Sequence, residues 1–179
     1  MDIIYYKQIF LKKKINKKDV KRVLGLRFRR NPELIDEWHS NVNGFLLCYD
    51  DCNLPYEIEE SGIFLLMPNS ENKKSINGWG WKKYLIAENL EIFASLLNLY
   101  VEVFTEYDLE GYKNNEFKKT ELIDRTLKKV VKISPENDLQ HWCDLLENHF
   151  EIDGERMKEV QKLILVNSGA ENSPILKSL

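Results

Sequence analysis

Lysine and arginine are absent from residues 31–69, a stretch that contains eight acidic residues. Residues 1–30 show the opposite balance, with eleven basic residues and two acidic ones. The two segments carry formal net charges of −8 and +9, whereas the whole chain of 179 residues carries only −3. A total this small excludes a polyanion-binding protein that depends on bulk charge. The segregation itself indicates either two binding surfaces or an internal complementary pair.

Cysteine is also scarce, and the three residues are Cys48, Cys52 and Cys143. A small, odd number excludes a disulfide framework and predicts a reducing, cytoplasmic setting. No run of about 18 apolar residues is present, which predicts that nothing spans a membrane. The first residues lack the pattern of a secretory signal. The eight glycines form neither a G-x-G-x-x-G nor a G-x-x-x-x-G-K motif, so no phosphate-binding loop is predicted.

Four segments have the composition or the alternation of β-strands, namely residues 3–11, 45–49, 62–67 and 99–107. The last of these also fits a continuing helix, because Leu97, Val101 and Phe104 have helical spacing. Residues 50–61 join the second and third strands and are predicted to be an acidic connection. Residues 68–83 are predicted to be a polar loop that carries two tryptophans.

Capping signals mark the predicted helices. Asn16 and Gly25 bracket a short helix over residues 17–24, and Asn31-Pro32-Glu33 predicts the start of a second helix over 32–42. Apolar spacing predicts a further helix over residues 85–98, and residues 121–133 are predicted to be a helix or a helix-strand junction. Another helix is predicted to start at Ser134-Pro135-Glu136 and to carry the stripe Leu139, Trp142, Leu146 and Phe150, and a last one follows Asp153-Gly154.

This order of elements predicts a single α+β domain over residues 1–167, with a small sheet, several helices and a helical C-terminal portion. Residues 168–179 are small and polar and are predicted to form a flexible tail.

The basic tract within residues 12–30 is a candidate nucleic-acid contact, because lysine and arginine neutralise phosphates. Helices over 17–24 and 32–42 would resemble a helix-turn-helix, but the second is acidic where a recognition helix is basic or rich in amides. No RNA-binding aromatic motif is present. The alternative is a solvated charged face beside the acidic stretch. The residues in question are Lys12, Lys13, Lys14, Arg27, Arg29 and Arg30.

Metal binding and catalysis have weaker signals. Cys48, Cys52, His141 and Cys143 supply four soft ligands, but C-x3-C is looser than the usual zinc spacing, and buried free cysteines are common. No metal or cofactor is therefore predicted. Three further residues, Asp108, Glu116 and Lys118, loosely match an acid…E-x-K nuclease pattern, although in a polar loop rather than on adjacent strands. A metal-dependent hydrolase is thus the last alternative, and the chain is predicted not to be an enzyme.

Protein recognition is indicated by two features. Trp79 and Trp81, spaced by glycine, are either a lid on the core or interface anchors. A cluster of acids in and around one predicted loop could capture a basic partner: Asp50, Asp51, Glu57, Glu59 and Glu60.

The length, the lysine- and asparagine-rich composition, the acidic segment DDCNLPYEIEE and the aromatic segment INGWGWKKY are similar to those of one family. The chain resembles the small cytosolic immunity proteins encoded beside bacterial polymorphic or contact-dependent inhibition toxins. This resemblance rests on general character and carries over no individual site. It implies a protein that binds one toxin domain, often a nuclease, and blocks its active site or substrate surface.

Overall fold

A computed structural model describes residues 3–34, 45–69 and 80–167. The described residues form an α+β fold with five strands and six α-helices. The strands are β1 (Arg27–Leu34), β2 (Phe45–Tyr49), β3 (Pro55–Glu59), β4 (Gly62–Asn69) and β5 (Gly80–Ala87). The helices are α1 (Ile3–Lys12), α2 (Lys17–Leu24), α3 (Leu90–Leu109), α4 (Glu116–Ile133), α5 (Leu139–Phe150) and α6 (Gly154–Asn167), with a short 3₁₀ helix at Tyr112–Asn114.

The strands form one antiparallel sheet in the order β1-β2-β3-β4-β5, so each strand pairs with its neighbours in the chain. Successive side chains of a strand point to opposite faces. On β3, Tyr56 and Ile58 join the main hydrophobic core, whereas Glu57 points to the other face. Glu57 pairs across the sheet with Leu46 of β2 and Phe64 of β4. The sheet therefore has a helix-covered face and a second face that contains a carboxylate.

Helix α3 is the centre of the helical layer. Its 20 residues include ten buried ones, and it packs against α1, α2, α4 and the sheet. Helix α5 is fastened to the same core by two hydrogen bonds. The Trp142 indole donates to the Ile86 carbonyl at 2.9 Å, and the Tyr100 hydroxyl donates to the Trp142 carbonyl at 2.8 Å. No helix in the described part of the chain is long and apolar enough to cross a membrane.

Several predicted elements are confirmed. Helix α2 begins after Asn16, whose side chain accepts from the backbone N–H groups of residues 18 and 19, and ends at Gly25 in the left-handed region. The strands at 45–49 and 62–67 are present, the second extending to Asn69. The stripe of α5 is fully buried, as its helical spacing requires.

The prediction of a strand over residues 3–11 is wrong, because this segment is helix α1. Its buried residues are Tyr6, Ile9 and Phe10, at helical rather than alternate spacing. For residues 99–107 the prediction of a strand is also wrong, and the alternative of a continuing helix is confirmed. This segment continues α3, where Tyr100, Phe104 and their neighbours form a buried helical face. β-Branched and aromatic composition was outweighed in both cases by packing on a neighbouring helix.

The predicted helix over residues 32–42 is wrong as far as the structure describes it. Asn31, Pro32 and Glu33 lie in β1, at the edge of the sheet, where a proline is tolerated because its missing N–H can face away from the ladder. Residues 35–44 are outside the described part. Both predicted connections are shorter than expected, since β3 lies within residues 50–61 and β5 begins at Gly80. Helix α5 starts after Asp138, which caps it, rather than at Ser134.

Candidate functional site

The acidic residues predicted to share one loop are divided between two ends of the sheet. Asp50 and Asp51 precede β3, and Glu60 follows it. The five residues of β3 separate these turns by about 16 Å. Asp50 Oδ1 accepts the Leu54 N–H at 2.8 Å and so shapes its own turn. Asp51 and Glu60 are exposed. The expectation of one continuous acidic loop is therefore wrong.

Glu57 is the sharpest departure from that expectation, because its side chain has 0% exposure. It occupies the second face of the sheet, where Lys83 Nζ of β5 lies 2.7 Å from its Oε2. Lys83 also contacts the Glu59 carboxylate. Glu57 could touch a partner only after the sheet rearranged. Glu57 is buried because it lies in a strand. The neighbouring acidic residues instead suggested an exposed loop, so the strand was not predicted.

The three charges of this second face shift one another's pKa values. Burial raises the pKa of Glu57 above its ordinary value, and Lys83 offsets this only in part. Burial would also raise the pKa of Glu59, but hydrogen bonds from Lys83 outweigh it and hold that pKa below its ordinary value. The pKa of Lys83 is raised, since its two carboxylate partners outweigh the cost of burial. The Lys83 ammonium thus pairs with both carboxylates, and Glu57 takes up a proton at a higher pH than Glu59 does.

The tryptophan candidates are only partly placed by the structure. Trp79 lies outside the described residues. Trp81 is in β5, where it pairs with Pro68 of β4, and its side chain is not among those described. The choice between a core lid and an interface anchor therefore stays a prediction for both residues.

The basic tract contacts α3 through two of its lysines and the β2–β3 turn through Arg27. Lys12 forms an ion pair with Glu91 at 3.1 Å, and Lys13 donates to the Ser95 hydroxyl at 3.0 Å. Lys14 is exposed. Among the side chains that the structure describes, no ion pair joins residues 12–30 to residues 31–69. These side chains therefore do not form the internal complementary pair that the charge pattern allowed.

The arginines of the tract lie on β1. The Arg27 guanidinium is exposed and donates to the Asp50 carbonyl at 2.8 Å and to Asn53 Oδ1 at 2.5 Å. Arg27 therefore braces the β2–β3 turn through neutral acceptors, and its guanidinium forms no ion pair with the side chains that the structure describes. Arg29 and Arg30 belong to β1, but their side chains are not described.

The cysteines and the histidine that could have bound a metal have separate structural partners. The described residues contain no group of three or more ligands placed to hold a metal ion. Cys48 and Cys143 are buried and Cys52 is exposed. His141 Nε2 lies 3.3 Å from the Tyr56 hydroxyl, and burial lowers the pKa of His141 to about 4. Burial raises the pKa of Cys143 to about 12, which makes a thiolate ligand unfavourable.

The residues of the acid…E-x-K pattern also separate. Asp108 Oδ1 lies 3.3 Å from His149 Nε2 at the end of α3. Glu116, at the start of α4, contacts Lys119 at 3.0 Å and Arg156 at 3.4 Å. These contacts tie neighbouring helices together, which is a structural use of the pattern.

A cavity between α5 and α6 was not predicted. It is open on one side, has a volume of about 390 Å³ and is lined by Gln140, Asp144, Glu147, Asp153, Gly154, Glu155, Met157, Lys158 and Gln161. The α5 contributions recur at helical spacing on a face beside the apolar stripe. From the sequence alone, these polar α5 residues look like an ordinary solvent-exposed helix face. Only the fold shows that α6 packs opposite them and encloses a cavity.

Gln161 is the unusual member of this lining. Its side chain has 2% exposure, its amide donates a hydrogen bond to the Cys143 sulfur, and its Oε1 has no partner. Buried polar atoms without partners are uncommon in folded proteins. Nearby, burial raises the pKa of Asp144, and the charges of Glu147 and Asp138 add to this effect. The cavity is therefore a region of negative potential with an unused acceptor.

Comparison with known proteins yields no match to a family model, to a curated protein or to a solved structure.

Proposed function

We propose that this chain is a protein-binding module, specifically an immunity protein that acts in the cytoplasm of a bacterium. In this role it binds a cognate basic toxin domain and blocks the active or substrate-binding surface of that toxin. The observation that supports this proposal is the excess of negative charge around β3. The carboxylates of Asp50, Asp51 and Glu60 form no ion pair among the described residues, although Arg27 donates to the Asp50 backbone carbonyl. Glu57 and Glu59 share the single charge of Lys83.

The arrangement of these acids suits capture of a cationic surface. Exposed carboxylates raise the rate at which an oppositely charged protein is captured and fix its orientation. Asp51 and Glu60 lie beyond the two ends of β3, whose five residues span about 16 Å, so both fit within one interface of about 800 Å² per partner. Trp79 and Trp81 remain the predicted anchors.

The direct test is to mix the purified chain with the product of the adjacent gene and to measure association at low and moderate salt. We expect a complex whose association rate falls as salt rises. Asp51→Lys and Glu60→Lys test the two ends of β3 separately, and Glu159→Lys on α6 is the control. We expect slower association from at least one β3-end variant and no change from the control. If no complex forms, the immunity function is rejected.

Nucleic-acid binding is the second candidate, and one observation favours it. Lys14, Lys18 and Lys21 are exposed around α1 and α2 and have no partner among the described residues. Lys12 and Lys13 already contact α3, so the free lysines are the better test. Reversing Lys14, Lys18 and Lys21 to Glu should abolish salt-sensitive retention of the protein on DNA or RNA. The absence of retention by the unmodified protein rejects this candidate.

A further inference from the structure

The cavity between α5 and α6 contains none of the residues on which the proposed function depends. Its walls are negative, with four carboxylates against one ammonium group. That ammonium, Lys158, contacts Glu155 at 3.1 Å, and both side chains are largely exposed. Asp144 and Glu147 have no basic partner among the described residues, since Asp144 accepts only the Gln140 amide at 2.5 Å. The wall formed by α5 is thus left without a counter-charge.

Gln161 provides an independent indication of a ligand. It lines the cavity, is almost completely buried, and its Oε1 has no hydrogen-bond donor. Leaving a buried carbonyl unsatisfied costs free energy that a donor from a ligand would recover. Since the Gln161 amide N–H already serves Cys143, the carbonyl is the atom that remains available. An unpartnered acceptor on a residue that lines a negative cavity is suited to a cation that carries N–H groups.

The chemistry of the lining distinguishes an organic cation from a metal ion. No group of three or more metal ligands is assembled among the described residues. The cavity also contains the buried side chain of Met157, which offers an apolar contact for a hydrocarbon stem. Its volume of about 390 Å³ exceeds what a single ion or water requires. Lysine- and arginine-like groups combine such a stem with several N–H donors.

We propose that the α5–α6 cavity binds an organic cation, namely a primary ammonium or a guanidinium group on an alkyl stem. The N–H groups of the cation donate to Gln161 Oε1 and to the carboxylates of Asp144 and Glu147, and its stem lies against Met157. The cation is either a free polyamine-type molecule or a lysine or arginine side chain of another protein.

The test is a titration of the full chain followed by backbone amide NMR shifts, with two probes. Cadaverine represents a free amine, and the peptide Gly-Gly-Lys-Gly-Gly amide represents a protein side chain. We expect saturable shifts confined to α5 and α6, and none with the corresponding glutamine peptide. Tighter binding of cadaverine identifies a free amine as the ligand, whereas tighter binding of the peptide identifies a side chain. Absence of saturable binding by both probes overturns the proposal.

Matched variants identify the site. Asp144→Asn with Glu147→Gln should weaken binding about tenfold or more, because two charge-assisted contacts are lost. Glu110→Gln with Glu159→Gln removes the same charge from exposed positions outside the cavity and should leave the affinity unchanged. Equal weakening by both pairs would show that the cation binds only the general negative field, and would overturn the site.

Gln161→Leu separates binding from folding. Its Oε1 has no partner among the described residues and its amide N–H meets only the weak acceptor sulfur of Cys143, so removing the amide should change the thermal midpoint little while weakening the affinity about tenfold. An unchanged affinity would contradict the assigned role of Gln161. If the leucine variant does not fold, Gln161→Met supplies a second apolar side chain without an amide, judged by the same two measurements.

Discussion

Trp142 of α5 donates its indole N–H to the backbone carbonyl of Ile86 on β5, at 2.9 Å, in a fully buried environment. This bond joins the C-terminal helices to the last strand. Trp142→Phe keeps most of the ring but removes the donor and leaves the carbonyl unsatisfied. We expect a loss of about 2 kcal/mol in the free energy of unfolding, measured by urea denaturation. Phe117→Ala, at an exposed aromatic of α4, is the control and should change stability by less than about 0.5 kcal/mol.

The Lys83 ammonium is the only described cation that contacts Glu57 and Glu59. Lys83→Met should leave Glu57 buried without a counter-charge and destabilise the fold by about 3 kcal/mol near neutral pH. The pKa of Glu57 is raised, so the protonated form is the one that folding favours, and stability falls as pH rises through that pKa. In Lys83→Met this fall in stability with rising pH should be larger, because the ionised Glu57 no longer has a counter-charge. The deficit relative to the unmodified protein should therefore grow between pH 4 and pH 8, and a deficit independent of pH would contradict the pairing.

A second pH dependence comes from His141. Burial lowers its pKa to about 4, below its ordinary value of 6.5. The unfolded chain therefore binds a proton that the folded chain resists, and stability is lost as pH falls from about 6.5 towards 4. The loss is at most about 3 kcal/mol. His141→Asn should remove this slope while costing some stability at neutral pH through the contact with Tyr56. Urea unfolding at several pH values measures both effects, and an unchanged slope in the variant would assign the titration elsewhere.

Asp51 packs against the end of α2 at Gly25. Gly25 has φ of 68°, and a Cβ there would come within 2.7 Å of Asp51 Cγ. Gly25→Ala should therefore cost slightly more than the ~1 kcal/mol of a left-handed alanine alone, because the exposed Asp51 carboxylate must rotate away. Gly111→Ala is the matched control, since Gly111 has φ of 66° and a Cβ added there would meet nothing within 4 Å. When Asp51 is also replaced by alanine, Gly25→Ala and Gly111→Ala should lower the free energy of unfolding by the same amount. A double-mutant cycle measures this.

The parts of this fold that follow local rules were predictable from the sequence. Asn16 and Gly25 mark α2 because capping is decided within a few residues, and the stripe through Trp142 marks α5 because its face meets the core. Residues 3–11 were not predictable in this way, and residues 99–107 fitted both a strand and a continuing helix. Their β-branched and aromatic composition suits a strand, and only packing between α1 and α3 decides for a helix.

In the candidate sites, too, the features set by local sequence were predictable, and those set by tertiary packing were not. Exposure of Asp51 and Glu60 was expected from their charge, whereas burial of Glu57 depends on the pairing of β3 with its neighbouring strands. The α5–α6 cavity could not be predicted, because an acidic helix face in a sequence gives no sign of the second face that will enclose it. Gln161 is ordinary as a residue type. Gln161 stands out only because its buried Oε1 has no hydrogen-bond partner among the described residues.

The order of the strands also bears on how the chain folds. Each strand pairs with its neighbours in the chain, so the sheet forms through short-range closure that costs little loop entropy. Docking of α1 is different, because the Lys13 carbonyl accepts the Asn98 amide from 85 residues away. A contact between residues so far apart in the chain is typical of a late folding step. During synthesis, the lysines at the end of α1 must therefore wait for α3 to emerge before their long-range contacts can form.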